Sequence, residues 1–134
     1  MRFVDSNVWL YAMQKEGDER KRELAMQVVK PWSLTVSTQV INEVCNNLRR
    51  KSGFTEAEIE KVIQSFYKHR IVVPLDRVSM LRACGLRSRY CLSFWDSQLV
   101  ACALLSGCTV LESEDMQDGL VIEGTLTIRN PFKE

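Results

Sequence analysis

Short apolar runs alternate with stretches of helical periodicity along the whole of this 134-residue chain. Arg2–Val4 reads as a first strand, and Ser6–Gln14 follows with Val8, Trp9, Tyr11 and Ala12 at helical spacing. A polar break at Lys15–Asp18 precedes a second helix, Glu19–Val29, which Pro31 ends. Leu34–Val36 is short and β-branched, as a strand should be. Thr38–Lys51 predicts a helix with a stripe at Val40, Ile41, Val44, Cys45 and Leu48, closed by Gly53. Thr55 and Glu58 have the spacing of a capping box and open a helix through Ile59, Val62, Ile63, Phe66 and Tyr67. Ile71–Val73 is a third strand, stopped by Pro74. Two helices follow, Asp76–Ser88 and Phe94–Ser106, the second ended by Gly107. Thr109–Leu111 and Leu126–Ile128 read as the fourth and fifth strands, with Leu120–Ile122 a further short candidate.

Strands that alternate with helices imply parallel pairing, because a crossover between parallel strands needs a connection of helix length. The fold class is therefore α/β, one doubly wound domain over residues 1–134 with no repeat, low-complexity tract or linker. Sites in such sheets form outside the carboxyl ends of the strands. Asp5 ends the first strand and Asp115 follows the fourth. Glu43 and Asp96 lie in the early turns of helices that begin near that same edge. Four carboxylates gathered there need a cation to hold their charge, and a hard divalent metal is the usual one.

Each acid also has a plainer reading. Asp5 can cap the helix that starts at Ser6. Asp96 falls on the face of Leu99, Val100 and Ala103 at about 100° per residue, where a carboxylate needs a partner or an ion. Its alternative is a capping box with Ser93. Glu43 lies off the centre of its stripe and reads as a surface glutamate. Glu112, Glu114, Asp115 and Asp118 form an acidic run of the kind found in solvated turns.

Composition narrows the chemistry further. The chain carries 18 basic and 17 acidic residues, a net charge of +1, so bulk charge gives no nucleic-acid footprint. The basic clusters Arg49–Lys51, Lys68–Arg70 and Arg82, Arg87, Arg89 read first as helix ends favoured by the dipole. Five cysteines without a Cys-x-x-Cys pair argue against zinc and predict buried free thiols in a reducing, cytoplasmic setting. The longest apolar stretch is too short for a bilayer, and the acid at position 5 breaks any signal peptide. The single histidine, His69, excludes paired-histidine cleavage of RNA. Asp5-Ser6-Asn7 lacks the second aspartate of an Asp-x-Asp phosphotransferase. Large aromatics such as Trp9, Tyr11, Trp32 and Trp95 are expected first in the core, with a contact surface as the alternative.

The motifs taken together resemble the PIN domain, and more closely the toxin ribonucleases of VapBC-type toxin–antitoxin pairs. Phe3-Val-Asp5-Ser-Asn7-Val resembles the family's opening strand with its first acid. Gln39-Val-Ile-Asn-Glu43 resembles the second-acid helix, and Tyr90-Cys-Leu-Ser-Phe-Trp-Asp96-Ser the third-acid segment. Gly107 to Gly119 resembles the strand and turn that bear the fourth acid, and Asn130-Pro-Phe132 fits the family's ending. The resemblance implies a three-layer α/β/α PIN-like domain with a central parallel sheet of four to five strands. It also implies an endoribonuclease dependent on Mg²⁺ or Mn²⁺, with Asp5 and Asp96 as the main direct metal ligands. Glu43 and Asp115 would ligate or act through water, Ser6 and Ser113 would orient them, and Glu114 or Asp118 could share the fourth role. The expected products are 5′-phosphate and 3′-hydroxyl ends. The expected partners are the RNA substrate, a cognate antitoxin and a second copy in a homodimer. A non-catalytic RNA-binding or regulatory module on the same fold is the alternative.

Overall fold

The computed structural model describes all residues from Met1 to Glu134. Its elements in chain order are β1 (Arg2–Val4), α1 (Ser6–Met13), α2 (Glu19–Val28), β2 (Leu34–Ser37), α3 (Thr38–Lys51) and α4 (Glu56–His69). They continue with β3 (Ile71–Val73), α5 (Arg77–Arg89), α6 (Phe94–Leu105), β4 (Val110–Glu112), β5 (Val121–Ile122) and β6 (Leu126–Arg129). The expected elements are all present, and the fourth strand sits one residue later than its β-branched run suggested. The short candidate before Glu123 is a strand too, but of two residues and antiparallel.

The sheet order is β3-β2-β1-β4-β6-β5. Five strands pair in parallel, and only β5 runs against its neighbour β6. The chain steps outward from β1 to β3 and then jumps back to β4 on the other side of β1. Right-handed crossovers in opposite directions put their helices on opposite faces. Helices α1 to α4 accordingly contact one another, and α5 packs with α6. Three layers result, and the order reverses between β1 and β4, which is where such sheets open a crevice.

Every helix starts on a side chain that bonds its own first turn: Asp5, Asp18, Ser37, Thr55, Asp76 and Ser93. The Thr55–Glu58 capping box closes in both directions, with bonds of 2.9 and 3.2 Å. Arg49–Lys51, Lys68 and Arg87 with Arg89 fall in the last turns of α3, α4 and α5, where they meet the negative helix end, whereas Arg82 lies mid-helix. A further arginine, Arg70, instead ties down the loop before β2, donating to the Val29 carbonyl at 2.8 Å.

The core is apolar and centred on the middle strands, with Phe3, Val4, Leu34, Val36, Leu111 and Ile128 fully or almost fully buried. Trp9 joins it, but two other tryptophans do not. Trp32 is 72% exposed and Trp95 62%, against the expectation of core packing. Trp32 lies in the loop ahead of β2 and meets His69 edge-on at 5.1 Å. The thiols also divide: all five are unpaired, Cys45, Cys102 and Cys108 are buried, and Cys84 and Cys91 are exposed. No helix is long and apolar enough to cross a membrane.

Glu112 is the exception inside the core. It is 0% exposed, and neither carboxylate oxygen has a hydrogen-bond partner. Arg129 Nη1 stands 3.9 Å from Oε1, too far to donate well. Burial therefore pushes the Glu112 carboxyl above the ordinary glutamate range. A raised folded-state pKa contributes stability that is complete below the unfolded value and is lost as pH rises through the folded one. Glu112→Gln removes the charge while keeping the shape. It is expected to stabilise the protein by about 1 kcal/mol at pH 8, a gain that vanishes near pH 4. Thermal melts of both proteins across that range check it, and equal melting temperatures at pH 8 would rule it out.

Candidate active site

The carboxyl edge of the sheet at the β1/β4 junction is built by continuing the strand ladder. The Asp5 N–H donates to the Glu112 carbonyl, and the Ser113 N–H to the Arg129 carbonyl, each at 2.9 Å. These bonds carry the register one residue past the strands and turn Ser113 toward Asp5. The Ser113 hydroxyl donates to Asp5 Oδ2 at 2.8 Å across 108 residues of sequence. Asp5 Oδ1 accepts the Ser6 N–H at 2.7 Å. Asp5 is thus the cap of α1 and also the buried centre of the acidic edge, 7% exposed. The two readings of this residue are met by its two carboxylate oxygens, Oδ1 at the cap and Oδ2 toward Ser113.

Glu43 reaches the same centre from the second turn of α3. Its Oε2 lies 3.5 Å from the Ser6 hydroxyl, and its Oε1 accepts from Gln39 Nε2 at 3.1 Å. Asp115 comes in from the turn after β4, where Asn7 Nδ2 donates to Oδ2 at 3.1 Å. The same Asn7 amide lies 3.5 Å from Asp5 Oδ2, and its Oδ1 accepts the Glu114 N–H at 3.3 Å. Asp96 is half-buried in the first turn of α6, its amide donating to the Ser93 hydroxyl at 3.0 Å. The alternative capping role for Asp96 is therefore half present, with the backbone bond made and the carboxylate left over.

The two neighbouring acids point elsewhere. Glu114 accepts from the Tyr11 hydroxyl at 2.8 Å and pairs with Lys21 at 2.5 Å. Asp118 accepts the Asn130 N–H at 2.7 Å. Of the three acids in this turn, Asp115 alone meets a residue of the Asp5 cluster through its carboxylate. Sequence reading gave Asn7 and Gln39 no role. Gln39 was findable, four residues before Glu43 on one helix face, whereas the bridge made by Asn7 depends on a turn more than a hundred residues away.

No basic side chain balances the charge gathered at this edge. Ion pairs form at Glu112, Glu114, Asp118, Glu123 and Glu134, and none at Asp5, Glu43, Asp96 or Asp115. Burial raises the Asp5 carboxyl to about 6, the hydrogen bonds from Ser113 and Ser6 oppose that rise, and the charges of Glu43 and Asp96 add to it. Four acids with no protein cation among them suit a bound one. All their donors are oxygen, the type that Mg²⁺ and Mn²⁺ take. As the side chains stand, no three of them approach closely enough to hold one ion. Donor chemistry and charge fit a divalent ion. Glu43 and Asp115 are exposed and free to turn.

Comparison with known proteins bears on this arrangement. No curated protein matches the chain. Among solved structures, a toxin–antitoxin complex from Klebsiella pneumoniae aligns at a TM-score of 0.72 and 17% identity, over 98% of both chains. VapC20 of Mycobacterium tuberculosis, a toxin that cleaves the sarcin–ricin loop, aligns at 0.67 and 22% identity over 83% of this chain and 87% of its own. FitAcB from Neisseria gonorrhoeae aligns at 0.67 and 13% identity, over 98% and 99%. At these identities the likeness is one of fold. The sequence itself matches the PIN domain model over residues 2–117, a span that contains all four acids. The chain belongs to the PIN domain family.

Proposed function

We propose that this protein is a metal-dependent endoribonuclease, a single PIN domain acting as the toxin of a toxin–antitoxin pair. The observation that carries the reading is the set of four acids at one sheet edge, drawn from four parts of the chain and without a single ion-pair partner. A structural cluster of that charge would be expected to recruit lysine or arginine, as Glu114 and Glu123 do.

In this reading Asp5 and Asp96 hold the ion, and Glu43 and Asp115 complete its surroundings directly or through water. When bound, the ion would supply charge stabilisation at the phosphate and lower the pKa of a water for attack on phosphorus. The protein's own residues do the positioning. Ser113 and Ser6 fix the Asp5 carboxylate, Asn7 couples it to Asp115, and Gln39 aims Glu43. Products carry 5′-phosphate and 3′-hydroxyl ends.

Support for an antitoxin comes from the surface. A cleft of about 500 Å³ lies between α1, α2 and α4, with Trp9, Met13, Met26, Val29, Phe54 and Val62 in its lining. Its mostly apolar walls suit a segment of the partner. The M. tuberculosis toxin cuts a ribosomal loop, and RNA is the substrate class proposed here too.

Incubation of structured RNA with the protein is expected to give new 5′-phosphate ends with Mg²⁺ or Mn²⁺ and none with EDTA. RNA that is bound in EDTA yet stays intact with either metal would point to the non-catalytic module instead.

A further inference from the structure

Helix α6 leaves its two largest side chains in water. From Ser97 to Ala103 every residue is buried, including small and polar ones. Phe94 and Trp95, in the first turn, are 54% and 62% exposed. Large aromatic rings left adjacent to each other on a surface mark a contact site more often than a packing accident. The next residue in the chain is Asp96.

The rings are also held in place. Phe94 and Trp95 meet edge to face, 5.2 Å between centroids at 82°. The Arg87 guanidinium lies 4.6 Å from the centre of the Phe94 ring and is itself anchored on the Ser97 hydroxyl at 2.5 Å. That leaves Trp95 with open surface next to a ring that carries a fixed positive charge. A fixed ring loses little freedom when it binds, which favours stacking over adaptive packing.

A nuclease whose cutting edge is wholly acidic repels the phosphate backbone and has to take hold of RNA elsewhere. Stacking on an aromatic face together with a nearby arginine is how proteins grip unpaired nucleotides. We infer that Phe94 and Trp95 form a stacking platform for an unpaired base next to the scissile bond, with Arg87 facing the adjoining phosphate. The inference rests on the nuclease reading and names the side chains on which an unpaired base would sit. Bases inside an A-form stem remain stacked on one another and cannot reach the platform.

The test uses tryptophan fluorescence, since Trp9 is buried and Trp32 can be silenced. In Asp5→Asn, Trp32→Phe protein with EDTA present, a ten-nucleotide oligoadenylate is expected to quench Trp95 emission. Adding Trp95→Leu should abolish the quenching and weaken binding of the labelled oligomer about ten-fold, while Trp95→Phe should keep most of the affinity. In otherwise native protein, Trp95→Leu should raise KM for looped RNA about ten-fold with kcat changed far less, whereas Trp32→Phe should alter neither. The inference is overturned if Trp95→Leu binds and cleaves like the parent, or if its one effect is to split a dimer with KM unchanged. Because the binding arm needs no cleavage, an inert parent would sink the nuclease reading alone.

Discussion

Asp5→Asn is expected to reduce RNA cleavage by at least about 100-fold and, in metal-free buffer, to make the protein more stable. The substitution is a clean one. Asparagine caps helices as well as aspartate does, so α1 keeps its start, and the Ser113 hydroxyl can reverse its bond to meet an amide. What disappears is the charge. Burial lifts the Asp5 carboxyl to about 6 from an ordinary 3.8, with Glu43 and Asp96 adding to the rise. A carboxyl raised in the folded state contributes stability that is complete below its unfolded pKa. That contribution is lost as pH climbs through the folded value. Above pH 6 the parent therefore carries a penalty of about 3 kcal/mol that the variant lacks. The variant should melt higher in EDTA at pH 8, and the gap should close toward pH 4. Added Mg²⁺ should raise the parent's melting temperature, since a ligand that binds only the folded form stabilises it by mass action. A variant that cuts RNA as fast as the parent would remove Asp5 from the site. A variant that melts lower at both pH values would instead show that the charge is well accommodated.

The largest structural effect is expected at Trp9. Its indole lies 3% exposed in the core, edge-on to Phe66 at 5.0 Å. The ring N–H donates to the Val4 carbonyl at 3.2 Å, and the Arg70 guanidinium lies 5.1 Å from the ring centre. Trp9→Ala should cost about 4 kcal/mol from the lost burial and cavity together. Trp9→Phe retains most of the apolar volume and leaves the carbonyl unpaired, at about 1–2 kcal/mol. Val4 directly precedes Asp5, so the indole also steadies the end of β1. Urea unfolding of both variants gives the comparison. If Trp9→Ala lost under 2 kcal/mol, the ring would not be the packing centre that its contacts describe.

Much of this was readable in the residues, for identifiable reasons. Helix starts announce themselves locally, so Thr55 with Glu58 and Ser93 with Asp96 sit where their spacing placed them. The direction of Val121–Ile122 was not readable, because two residues carry no periodicity and pairing with β6 decides it. At the candidate site, the placing of the four acids near one sheet edge was legible from their positions at the ends of apolar runs and in the family motifs. The exposure of Trp95 was only the lesser alternative, because a large apolar ring in an apolar helix reads first as core. Glu112 hid for the opposite reason: inside an acidic run it resembled a solvated turn, while the strand register turned it inward.

The sheet's connectivity bears on how the protein comes into being. The hairpin of β5 and β6 is the one strand pairing local in sequence, and hairpins close in about microseconds. Every parallel pair must wait for a long loop to close, the slow step for such topologies. The bond from Ser113 to Asp5 spans nearly the whole chain. During synthesis the acidic edge is therefore incomplete until β4 and the turn after it have left the ribosome. A nascent chain with the first three acids already translated would still lack the fourth.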